Sequence, residues 1–290
     1  MSLRLSNKMS PVAGVRRLAR RELSKAVDAL TQPRRPAESV HVARKHVKKV
    51  RALLRLVRKR TGSKFFLSEN KALRELGRQL STVRDAQVVL AVLNGLRETA
   101  TRQPELGALK TLHEQLTQSN VGAASLDLSA KAARDRASEF KRCRLRVKRW
   151  PLKKLIWSDL AAALARSYQR SQRALARYDA RRTLPNLHEW RKRTKDFWYQ
   201  LMMLESLLPR SLRRLATVVE SLTEAQGEAH DLDLLQTLIN TERRQLSAAD
   251  RTLILELIQK RLGKRERKIL KTGQKVFREP PEHFARQLDS

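Results

Sequence analysis

Cysteine is nearly absent from this chain of 290 residues; Cys143 stands alone. One thiol builds neither a disulfide framework nor a thiolate metal cluster, and Cys143 is read as a small buried hydrophobe in a reducing compartment. Glycine and proline number 9 each, about half of ordinary usage, so few chain-breakers oppose long helices. Aromatic residues make up 4%, too few to offer rows of stacking platforms to nucleic-acid bases. Long hydrophobic runs are also missing. The longest uncharged stretches, 86–96 and 115–126, fall short of the ~18 apolar residues that indicate a membrane span. The opening MSLRLSNKMSP has no apolar signal-peptide core, and no G-x-G-x-x-G or P-loop string occurs. The expected location is the cytoplasm.

Acid is scarce and base abundant: 29 Asp+Glu stand against 63 Lys+Arg, a formal net charge of +34. Both halves share the excess, with 35 basic and 12 acidic residues in 1–150 and 28 and 17 in 151–290. The hydrophobic fraction of 41% is enough for a core, so the charge is not that of a disordered tail. Self-repulsion of this size opposes compaction. It points to a polyanionic partner: nucleic acid, an anionic membrane or an inorganic phosphate polymer.

Apolar residues recur every three to four positions almost throughout, which predicts an all-α protein. The pattern places helices near 12–31, 39–60, 69–83, 85–99, 105–118 and 130–149, then 152–178, 186–207, 210–226, 231–246 and 248–273. Breaks fall at Pro33 and Pro36, Gly62, Pro104, Pro151, Pro185 and Pro209. Residues 119–129 read as a loop, and the tail after Gln274 as loosely docked.

The second helix shows two faces. Ala43, Val47, Val50, Leu54 and Val57 keep a 4-3-4-3 spacing and form an apolar seam. His41, Arg44, Lys48, Arg51 and Arg55 keep a 3-4-3-4 spacing beside it, about one cation every 5 Å. No acid lies between His41 and Arg60 to offset the repulsion within the helix, which favours an external anion. The pattern returns 147 residues later. HVARKHVKKVRALLRLV (41–57) aligns with HEWRKRTKDFWYQLMML (188–204), matching His188, Arg191, Lys192 and Lys195 to His41, Arg44, Lys45 and Lys48. The seam repeats as Trp190, Thr194, Phe197, Leu201 and Leu204. Ser39 and Asn186 align as N-cap residues, with Glu189 completing a capping box in the second copy. Downstream, LGRQLSTVRDAQVVLAVL (76–93) aligns with LTEAQGEAHDLDLLQTLI (222–239), Asp85 over Asp231. Two linked matches at nearly constant offset indicate an internal duplication of a helical half.

His-x-x-Arg-Lys-x-x-Lys on an Arg/Leu-rich helix, followed by Arg-Asp or His-Asp at another helix, resembles the CHAD domain, the conserved histidine α-helical domain. The likeness covers roughly 11–285, in halves 11–150 and 151–285, between an extension at 1–10 and a tail at 286–290. It implies two helical bundles related by a pseudo-twofold, with a basic central channel that binds inorganic polyphosphate. For some members it also implies residence at polyphosphate granules. With no β-rich segment and no E-x-E-x-K string, the chain resembles a stand-alone copy without a CYTH domain. The second copy departs from the first: Trp198 and Met202 stand where Arg51 and Arg55 do. Arg166, Arg170, Arg173 and Arg177, and likewise Lys260, Lys264, Arg267, Lys271 and Lys275, run at helical spacing as further cationic rows.

The expected polyphosphate contacts are His41, Arg44, Lys45, Lys48, Arg51 and Arg55, then His188, Arg191, Lys192 and Lys195, with Arg166, Arg170 and Arg173 as additions. Arginine grips phosphate oxygens in pairs, and lysine supplies a mobile charge. Asp85 and Asp231 precede apolar runs and read as N-caps. Glu228, His230, Asp231 and Asp233 offer metal ligands, but Arg84 and Gln87 stand opposite His230 and Asp233 in the first copy, so no metal and no cofactor is expected. No nucleophile–base or paired-carboxylate pattern stands out, so no catalysis is expected. His46, His113 and His283 receive no role. The expected function is non-catalytic binding of inorganic polyphosphate, with no membrane partner. The alternatives are a nucleic-acid-binding module and a metal-dependent phosphohydrolase built on 228–233.

Overall fold

Ser10 opens the first helix. Its side chain accepts from the backbone N–H of Ala13, and Pro11 follows in the first turn, where its missing N–H removes no hydrogen bond. The computed structural model describes residues 3–32, 36–118, 129–241 and 246–289, with the backbone alone at 36–37, 81–87 and 289. Among the described residues there are helices and no strand: α1 (Pro11–Thr31), α2 (Pro36–Leu56), α3 (Arg58–Thr61), α4 (Ser63–Arg78), α5 (Ser81–Arg97), α6 (Gln103–Gln118) and α7 (Ala130–Arg146). They continue with α8 (Trp157–Ala180), α9 (Leu184–Leu204), α10 (Arg210–Arg213), α11 (Leu215–Thr241), α12 (Ala248–Val276) and α13 (Pro281–Asp289). No described helix is long and apolar enough to cross a membrane.

Both seams are buried as their spacing predicts. Ala43, Val47, Val50, Leu54 and Val57 on α2 and Trp190, Thr194, Phe197, Leu201 and Leu204 on α9 all lie in the core. These faces seat α2 against α1 and α4, and α9 against α8 and α11. The helices carrying the repeated motif meet each other: α2 packs on α9, and α5 packs on α11. His46 anchors α2 to α1, its Nδ1 2.7 Å from the buried Glu22 carboxylate, with Lys49 Nζ at 3.5 Å. Burial pushes the Glu22 carboxyl up, but the His46 hydrogen bond and the Lys49 charge outweigh it and hold the pKa at about 2. Cys143 is buried, as expected, and burial pushes its thiol up.

Several local readings are corrected. No break separates 210–226 from 231–246. One helix, α11, runs unbroken from Leu215 to Thr241 across that boundary, with Ala225, Gln226, Ala229 and Leu232 all buried. Asp231 is therefore interior to a helix and caps nothing. Asp85 lies inside α5, whose N-cap position is Leu80; its side chain is outside the described residues, as are Pro33 and residues 119–128. Helix α2 begins at Pro36, so Ser39 is already inside it. Asn186 reaches back instead of forward, its amide donating to the carbonyls of Arg177 and Arg181 at the end of α8. Glu189 pairs with Lys192 and Arg193 rather than with the backbone of a cap. The tail is firmly packed: Phe284 on α13 stacks on Tyr168, ring centroids 4.2 Å apart and planes within 8°.

Gly273 on α12 lies directly against the Trp190 ring of α9. A Cβ there would lie 2.5 Å from Trp190 Cζ2 and 2.7 Å from its Cη2. The indole is fully buried and cannot swing aside. Gly273→Ala is expected to lower stability by about 1–3 kcal/mol through overpacking, read as a drop in the midpoint of chemical denaturation. An unchanged midpoint would show that α12 slides without cost.

Candidate functional site

The seams turn the neighbouring faces of α2 and α9 toward one concavity of about 320 Å³. From α2 come Lys48, Arg51 and Arg55. From α9 come His188, Arg191, Lys192, Lys195, Asp196 and Tyr199, and α11 adds His230. Seven of the expected contacts therefore share one cavity, drawn from both motif copies. The other six do not line it. His41, Arg44 and Lys45 lie earlier on α2, and the charge of Lys45 acts on Lys195. Arg166 and Arg173 are exposed on α8. Arg170 is half-buried, donates to Ser167 Oγ at 2.9 Å and feels Arg193, Asp196 and Arg55 from behind the wall.

The pocket's cations are held at an electrostatic cost. Burial pushes the Arg51 guanidinium down to about 10, with Arg55 and Arg74 adding repulsion and Asp196 opposing it. Burial lowers Arg191 as well, against the pull of Asp231. Its Nε is buried and has no hydrogen-bond acceptor among the described residues. Burial, then Arg191 and Lys45, push the Lys195 ammonium down to about 8. That ammonium sits 4.8 Å from the Trp198 ring centre and 5.7 Å from that of Tyr199, a cation–π support that orders it without neutralising it. Such a pocket is short of negative charge, and an anion bound there would relieve every one of these costs.

Asp196 is the pocket's only described acid. It accepts from Arg55 Nη1 at 3.2 Å and so ties α9 to α2. Burial pushes its carboxyl up, with Arg55, Arg51, Arg193 and Arg170 pulling the other way. Motif matching passed over Asp196, Tyr199 and His230 as pocket residues. A signal existed for the first: Asp196 is the lone acid between Trp190 and Leu204. His188 Nε2 lies 2.7 Å from His230 Nδ1. Burial, then Arg191, His188 and Lys48, push His230 down to about 3, so it is neutral at physiological pH.

A larger cleft of about 650 Å³ lies between α5, α6 and α12, but most of its cations are committed. Arg102 pairs with Glu105, Arg265 with Glu228, and Arg261 donates to the Gly95 carbonyl at 2.6 Å. The smaller pocket is the stronger anion site on charge, although it is the smaller of the two.

A family model of the CHAD domain matches residues 15–240. The crystal structure of the CHAD domain from the plant Ricinus communis aligns with a TM-score of 0.64, covering 100% of this chain and 95% of that one at 17% identity. At that identity the likeness concerns the fold. No curated protein matches the chain.

Proposed function

We propose, from the premise that the chain belongs to the CHAD domain family, that the α2–α9 pocket binds inorganic polyphosphate without catalysing its hydrolysis. The observation that carries this reading is one cavity drawing cations from both motif copies, with the buried Arg191 Nε lacking an acceptor among the described residues. The packing of α2 on α9 and of α5 on α11 supports the idea of a duplication whose halves face each other about a pseudo-twofold. The pocket would then be the middle of a basic channel. Residence at polyphosphate granules belongs to the same proposal.

The deciding experiment is competition. Unlabelled long-chain polyphosphate is expected to displace labelled single-stranded DNA or RNA at physiological salt. Failure to displace it would favour the nucleic-acid-binding alternative. Salt dependence alone does not discriminate, because every polyanion releases counterions. Phosphate release from polyphosphate in Mg²⁺ or Mn²⁺ would refute the non-catalytic part.

Lys195 gives the site a pH signature. In the free protein burial, then Arg191 and Lys45, push its ammonium down to about 8, partly offset by Glu224 and Glu220. A bound phosphate favours the charged form, so its pKa rises on binding. Above about 8 the free protein must take up a proton to bind, and affinity falls as pH rises. Between pH 7 and pH 9 the expected loss is about tenfold, measured at constant ionic strength. Lys195→Arg, which stays charged throughout, is expected to flatten the profile. A flat profile in the wild-type protein would remove Lys195 from the contact.

A further inference from the structure

At the offset of 147 residues between the motif copies, Asp196 aligns with Lys49. Lys49 does not line the pocket, and its Nζ lies 3.5 Å from the buried Glu22 carboxylate. Asp196 does line it, with its side chain 17% exposed. Its Oδ1 accepts from Arg55 Nη1 at 3.2 Å. Arg51 on α2, Arg193 on α9 and Arg170 on α8 add positive potential around the same carboxylate. Among the described residues it is the one acid of a wall that carries Lys48, Arg51, Arg55, Arg191, Lys192 and Lys195.

A carboxylate so placed has two effects. It supplies negative charge to arginines that otherwise repel one another across α2, α8 and α9. It also repels any phosphate that approaches those arginines, and Arg55 must share or surrender its bond to Asp196 in order to hold one. We propose that Asp196 is an internal counter-anion that competes with bound phosphate for Arg55 and raises the number of contacts a ligand must make to stay in the pocket. The inference rests on the polyphosphate reading and adds a specificity-determining residue to it. The electrostatic cost falls on every anion that enters. Chloride or orthophosphate, with one or two contacts, does not recover that cost. A chain held also by cations beyond the pocket does. The pocket thus stays clear of small anions and fills with a ligand that is anchored at several points.

The test is Asp196→Asn in the full chain, titrated with triphosphate and with long-chain polyphosphate at fixed pH and ionic strength. The amide keeps the shape and an oxygen acceptor for Arg55 but removes the charge. Both ligands are expected to bind about tenfold more tightly than they bind the wild type, the scale of one like-charge repulsion across a partly screened pocket. Asp196→Glu, which restores the charge, is expected to abolish the gain. Without ligand the thermal midpoint of Asp196→Asn is expected to fall, because Arg55 and its neighbours lose their counter-charge. Polyphosphate is then expected to raise that midpoint by more than it raises the wild type's. Circular dichroism checks folding, and Asp196→Ser carries the test if the asparagine variant does not fold. Unchanged or weaker binding by the folded neutral variant would overturn the proposal and leave Asp196 as a support for Arg55. An equal gain in Asp196→Glu would also overturn it, since charge would not be the cause. Binding of polyphosphate by neither the wild type nor the variant would refute the polyphosphate reading itself, and this inference with it.

Discussion

Lys48→Glu combined with Lys195→Glu is expected to weaken long-chain polyphosphate binding by at least about 100-fold. Both side chains line the pocket, one from each motif copy, and neither belongs to a seam. A hydrogen bond to a charged group contributes about 1.5–3 kcal/mol. Losing two such contacts costs about 3 kcal/mol or more, or roughly two decades in affinity, before the added repulsion is counted. The control is Lys141→Glu with Arg142→Glu, an equal charge change at exposed positions of α7. It is expected to cost little, because exposed charges more than about 8–10 Å from the ligand are screened at physiological salt. Reversal of Arg44, which lies outside the lining, should fall between the two. Lys195 is partly buried against aromatic rings, so Lys48→Gln with Lys195→Gln repeats the measurement with less strain. Helicity and thermal midpoint report folding in each case. Equal losses in pocket and control variants would mean that only bulk charge matters, and the site would have to be given up.

Long polyphosphate is expected to bind at least about 100-fold more tightly per molecule than triphosphate. A short anion reaches only the cations inside the pocket. The α2 column continues outside it through Arg44 and His41, and from His41 to Arg55 the helix rises about 21 Å. Contacts formed by the rest of a chain already held in the pocket are intramolecular, with an effective concentration that multiplies affinity. Affinity should climb with chain length and level off when no further cations lie along the track. Bound chains should also raise the thermal midpoint, since a ligand held only by the folded state stabilises it and offsets cation repulsion. Calorimetry over graded lengths, at fixed ionic strength and fixed total phosphate, measures both trends. Equal affinity per phosphate from triphosphate to long chains would mean that there is no extended track.

The helical class, the two buried seams and the family were legible in the order of the residues. Each rests on short-range regularity. A seam at 4-3-4-3 spacing buries on almost any partner surface, and a repeated His-x-x-Arg-Lys-x-x-Lys is visible without knowing where the copies meet. Which cations share a cavity is set by how the helices pack. The column on α2 is uniform in sequence, yet Lys48, Arg51 and Arg55 line the pocket and His41 and Arg44 do not. The crossing point of α2 and α9 draws that line, and it depends on packing between residues some 140 positions apart. Asp196 and His230 entered the site for the same reason, one through Arg55 on α2 and the other through His188 on α9. Capping signals failed where burial outweighed them. A cap is worth about 1 kcal/mol, whereas burying one large apolar side chain is worth about 1.5–3 kcal/mol. The buried run on α11 therefore carried the helix straight through Asp231, and Phe284 drew the tail onto Tyr168.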